Sequence, residues 1–104
     1  MIRATFKENG DNIKSFHISG HALCGPAGED IVCAAVSSAV YMAANTVLEV
    51  LNLPADVSVS EGSFSFELQN GSDQANAVLA GLKLHLFALA EQYADCIEIL
   101  IERC

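Results

Sequence analysis

The chain contains no tryptophan, two prolines and only five Lys or Arg residues in 104. The shortage of cations argues against a nucleic-acid backbone as partner, because phosphate contacts need clustered Lys or Arg. Thirteen acidic residues bring the formal net charge to -8, so a basic peptide is the better electrostatic match. The four cysteines include no CxxC pair and follow no regular paired spacing, which speaks against a structural zinc site or a disulfide framework. The N-terminus opens directly into a strand pattern. This predicts no signal peptide, a reducing cytoplasmic location and free thiols. The longest apolar run, from Ile31 to Leu51, is interrupted by Ser37, Ser38, Asn45, Thr46 and Glu49, so a buried central helix is expected there rather than a membrane span. No repeat or linker divides the chain, and residues 1–104 are expected to form one domain. What is plentiful is apolar side chain, at 52% of residues. For so small a domain this predicts that another subunit covers part of the surface, in a homodimer.

From Ile2 to Glu8 the residues Ile2, Ala4 and Phe6 alternate with Arg3, Thr5 and Lys7, the period of a half-buried strand. Asn9-Gly10-Asp11 is a turn, after which Asn12 to Ser19 should return antiparallel with Phe16 and Ile18 inward and His17 outward. The segment from Ala22 to Glu29 carries Gly25, Pro26 and Gly28 and reads as an irregular loop. Its signal for phosphate binding is weak, because no Gly-Lys-Ser/Thr ending follows. A first helix is expected from Asp30, as N-cap, to Asn52, ending before Pro54. Val57 to Ser60 and Ser63 to Leu68 form a second hairpin. Ser72 and Asp73 cap a second helix reaching about Tyr93, in which His85 flanks the stripe Val78, Leu82, Leu89 as a packing residue. The alternation of Ile97, Ile99 and Ile101 marks a last strand. The fold predicted is α+β: a mainly antiparallel sheet of about five strands, two hairpins plus a last strand, with two helices packed on it.

Chemistry concentrates where the loop meets the first helix. Asp30 at the N-cap would put Cys33 in the first turn, where the positive end of the helix dipole favours a thiolate nucleophile. His21, at the end of the preceding strand-like stretch, is a candidate general base, with Asp30 to orient it and Ser37 one turn along the helix face from Cys33. The residues alone also allow Cys33 to be a small buried hydrophobe among alanines. A metal site from His17, His21, Cys24 and Cys33 fits poorly, since two His four apart suit a helix better than a strand end. A redox pair of Cys24 and Cys33 lacks the compact spacing. Cys96 and Cys104 read as bystanders.

Gly20-His21-Ala22, the glycine-bearing loop, and Gly28-Glu29-Asp30-Ile31-Val32-Cys33-Ala34-Ala35-Val36-Ser37 together resemble the bacterial ribosomal-processing cysteine protease family, often called Prp, over the full length. The resemblance implies a catalytic pair at His21 and Cys33, supporting roles for Asp30 and Ser37, and no cofactor or metal. It also implies a cytoplasmic homodimer that removes a short N-terminal extension from protein twenty-seven of the large ribosomal subunit, cutting after paired aromatics, with no direct nucleic-acid or membrane partner. Cys24 lies outside the family pattern. Gly25 and Gly28 are expected to give the loop between the catalytic residues the freedom to close on substrate. The alternative function is a non-catalytic ribosome-assembly module with Cys33 buried and inert.

Overall fold

The computed structural model describes residues 1–20 and 29–103. Its elements are β1 (Ile2–Asn9), β2 (Asn12–Ser19), α1 (Glu29–Asn45), β3 (Ala55–Ser60), β4 (Ser63–Leu68), α2 (Asp73–Gln92) and β5 (Ile97–Arg103). The strands form one sheet in the order β3-β4-β2-β1-β5. Every pairing is antiparallel except β1 with β5, which is parallel. This is the α+β arrangement expected, with one parallel pair that periodicity does not reveal.

One face of the sheet is covered by the helices. Along β1 the residues Ile2, Ala4, Phe6 and Glu8 are buried, while Arg3 and Lys7 are exposed. On β2, Ile13, Phe16 and Ile18 are inward, and positions 13 and 16 can share a face only if the ladder slips by one residue. It does so between Lys7 and Glu8, a bulge that restores the inward parity. Phe16 is the centre of the core. Its ring lies 6.0 Å from Phe6, 5.9 Å from Phe64 and 5.1 Å from Phe66, the last two stacked.

Glu8 follows the inward parity of β1 and is 5% exposed. A buried carboxylate needs partners, and it accepts from Lys83 Nζ on α2 at 2.6 Å and from Arg103 Nη1 on β5 at 3.3 Å. The charge cluster thus ties three elements together at one end of the sheet.

α1 begins at Glu29, so Asp30 lies inside the first turn and is not the N-cap. Both Glu29 and Asp30 are residue types that the positive end of a helix favours there, which explains why the expected boundary is off by so little. The α-helical bonding ends earlier than expected, at Asn45, and passes into a π-helical turn, Thr46–Val50. There Thr46 Oγ1 donates to the Met42 carbonyl at 2.7 Å, and Leu51 N donates to Thr46 O at 2.9 Å. Asn52, at φ 54°, then turns the chain out of the helix before Pro54. The segment Ile31–Val50 is long and apolar enough to cross a membrane by length and composition, and 33% of it is buried. Val32, Val36, Val40, Ala43, Ala44 and Val47 are buried, whereas Ile31, Tyr41, Met42 and Val50 are exposed. The expected burial therefore holds for one face of the helix. α2 begins as expected, with the Ser72 hydroxyl accepting from Ala75 N at 3.3 Å.

Candidate active site

Helical spacing puts Cys33, Val36, Ser37, Val40 and Tyr41 on one face of α1. Val36 and Val40 are buried, Cys33 is half-buried, and Ser37 and Tyr41 are exposed. These five form one wall of a cleft of about 300 Å³. The opposite wall comes from the end of β2 at Ser19 and Gly20, from Phe64, and from the β3–β4 turn through Val59, Ser60, Gly62 and Ser63. The Tyr41 ring meets Phe64 edge-on at 5.2 Å, joining the two walls at the apolar end.

Cys33 is the fifth residue of α1 and begins the second turn, not the first. The helix dipole acts mainly on the terminal turn, so the case for Cys33 as nucleophile rests on access. Its thiol is free, and the residue is half-buried, packing against the core on one side and lining the cleft on the other. Cys33 is thus not fully buried, as a hydrophobe enclosed among alanines would be.

Gly20 anchors the far wall. Its N–H donates to Gly62 O at 3.0 Å, tying β2 to the β3–β4 turn, and its φ of 88° lies in the left-handed region. A Cβ added there would collide with the Met1 carbonyl oxygen. Gly20→Ala is therefore expected to cost about 2 kcal/mol or more and to reduce activity by displacing the residue that leads into His21. Urea unfolding and turnover, measured on the same preparation, check this; an unchanged midpoint would count against it.

His21, Gly25 and Gly28, with Cys24, lie outside the described residues, and of Asp30 only the backbone position in α1 is described. Cys33 and Ser37 are brought together as expected. The structure separates His17 from Cys33. His17 alternates with the inward Phe16 and Ile18 and so lies on the uncovered face of the sheet, its Nδ1 2.6 Å from Ser65 Oγ. It cannot share a metal ion with Cys33 on the covered face. Among the described residues no cluster of three metal-ligating side chains occurs. His85 is exposed and borders an apolar groove between α1 and α2, and does not pack as expected. Cys96 is buried and disulfide-bonded, contrary to the expectation of free thiols; Cys104 lies outside the described residues. Sequence reasoning missed Tyr41, Val59, Ser60 and Phe64 as cleft residues. The i+8 spacing from Cys33 could have found Tyr41, while the others needed the strand order.

The family model for cysteine protease Prp matches residues 1–98. The ribosomal processing cysteine protease Prp of Bacillus subtilis (strain 168) is 30% identical over 107 aligned positions, covering 95% of this chain and 96% of that protein. The Staphylococcus aureus (strain Mu50) protein of the same name is 25% identical, covering 79% and 80%. Among solved structures, SMU.848 from Streptococcus mutans superposes with a TM-score of 0.89 at 25% identity, covering 100% of this chain and 99% of that one. The essential ribosomal processing protease Prp of S. aureus, in complex with a covalently linked product peptide, superposes with a TM-score of 0.90 at 24% identity, covering 98% and 100%. With a match over nearly the whole chain and a free thiol placed in an open cleft, this chain belongs to the Prp family of cysteine proteases.

Proposed function

We propose that this protease removes the short N-terminal extension of a large-subunit ribosomal protein, number twenty-seven, cutting after paired aromatics with Cys33 as nucleophile and His21 as base. The observation that carries the reading is the free Cys33 thiol on the wall of an apolar-ended cleft. Val40, Tyr41, Val59 and Phe64 line its apolar part, and rings are favoured against rings in offset or edge-on contact. The relative from S. aureus, which binds a substrate peptide, supports a peptide as the ligand.

In the proposed reaction His21 accepts the thiol proton as Cys33 Sγ attacks the scissile carbonyl. His21 then returns that proton to the leaving amine, and water hydrolyses the resulting thioester. N–H groups that the first turn of α1 leaves without an intrahelical partner are suited to the tetrahedral oxyanion. Ser37, a turn beyond Cys33, serves to orient the substrate. Asp30 holds the loop or His21, and Gly25 and Gly28 let that loop close. A precursor made with the ribosome places the work in the cytoplasm. Incubation with the precursor, read by intact mass, should show loss of the extension; an unchanged mass after prolonged incubation overturns the reading.

The same reading includes a homodimer. Met42 is 69% exposed beside the apolar groove between α1 and α2, a surface a second copy would remove from water. Sedimentation at micromolar concentration should give about twice the 11.0 kDa chain mass; a single species at the chain mass would exclude the dimer.

A further inference from the structure

We infer that the substrate docks as an added strand on the outer edge of β3, which among the described residues pairs with no further strand, and that this delivers its scissile bond to Cys33; this rests on the peptidase reading above. β3 is an edge strand of the sheet. Its last residues, Val59 and Ser60, line the same cleft as Cys33, so the edge and the nucleophile belong to one continuous surface.

Which main-chain groups of β3 face outward follows from the ladder. In an antiparallel pair, residues alternate between those that exchange hydrogen bonds and those that point away. The register pairs Ser60 with Ser63, Ser58 with Ser65 and Asp56 with Glu67, and Gln69 N donates to Pro54 O at 3.2 Å in the same phase. The bond from Gly20 N to Gly62 O gives the opposite phase to the β4–β2 side, with Phe64 and Phe66 bonded toward β2. Both bonds require Ser60, Ser58 and Asp56 to bond to β4. The N–H and C=O groups of Ala55, Val57 and Val59 therefore point away from the sheet, spaced to receive an extended peptide.

The two edges of the sheet are also unlike. β5 carries Glu98, Glu102 and Arg103, charges of the kind that protect an edge from pairing. β3 carries one charge, Asp56, and leaves Val57 40% and Val59 55% exposed. Cross-strand neighbours share a face, so a peptide residue opposite Val59 would place its side chain on the covered side, toward Tyr41 and Phe64. The next residue would point to the polar side. Selection for apolar side chains should then recur with a period of two.

The test is an N-methyl scan of a synthetic peptide spanning the extension and its junction. It is read as kcat/KM with the native enzyme and as Kd with the Cys33→Ala protein. Alternate positions should lose about tenfold in both readouts, with the intervening positions unaffected. Val57→Pro deletes one outward donor but no β3–β4 bond, as edge strands tolerate; it should keep the melting temperature within a few degrees and weaken peptide binding about tenfold. Cleavage that tolerates methylation without alternation overturns edge docking and leaves the peptidase reading standing. Alternating losses in binding, with no cleavage by the native enzyme, keep edge docking and overturn the peptidase reading. A peptide that neither binds nor is cut overturns both.

Discussion

Cys33→Ala is expected to reduce kcat/KM on the ribosomal precursor by roughly three to six powers of ten, with the fold and the binding of peptide intact. The magnitude follows from loss of the nucleophile itself: without a thioester, only cleft binding and any oxyanion donors remain to accelerate hydrolysis. The fold should survive because the thiol is half-buried at a cleft wall and not enclosed in the core. Truncating it to a methyl group removes one sulfur and opens no sealed cavity, so the unfolding free energy should change by less than about 1 kcal/mol. Ser37→Ala provides the comparison. Its hydroxyl is exposed one turn away, and in the proposed reaction it orients the substrate without forming a covalent bond to it, so the loss should be nearer tenfold. Intact-mass time courses measure both. Substantial turnover by the alanine protein would remove Cys33 from the mechanism.

The largest effect on stability is expected at Phe16. Its ring contacts Phe6, Phe64 and Phe66, and it pairs across both adjacent strands, with Phe6 on β1 and Phe66 on β4. Phe16→Ala should cost about 4 kcal/mol, the sum of lost transfer energy and the cavity left among three rings. In a domain whose whole stability is of order 5–15 kcal/mol, that lowers the melting temperature by about 20 °C or more. Activity should fall with it, because Phe64, which stacks on Phe16, also forms the cleft wall with Tyr41. Phe16→Leu, which refills most of the volume, should cost less than half as much. Thermal and urea unfolding followed by circular dichroism check the pair; a loss below 1 kcal/mol for the alanine variant would show that the ring cluster does not hold the hairpins together.

Much of this was legible because local periodicity is a local property. The alternation from Ile2 to Phe6 marks the buried face of β1, and the same parity carried one step further accounts for Glu8, whose charge alone would have placed it outside. Ser72 announces the start of α2 through its hydroxyl. The boundaries of α1 were less legible. Two acidic residues compete for its first turn, and its last turn, from Thr46, is π-helical, which apolar periodicity cannot register.

By itself the sequence determined the α+β class, the two hairpins, both helices and the Cys33/Ser37 pair on one helix face, since each depends on contacts between residues near in the chain. Tertiary structure decided the rest. That β4 pairs with β2, leaving β3 at the edge, is a choice between distant segments, and it alone brings Val59, Ser60 and Phe64 opposite Cys33. It also puts Ser65 beside His17 on the uncovered face. The parallel pairing of β1 with β5 is a choice of the same kind. Strands of similar apolar alternation are interchangeable as partners until the hairpins and helices are packed on one another, and the energy that separates the arrangements lies in side chains far apart in sequence.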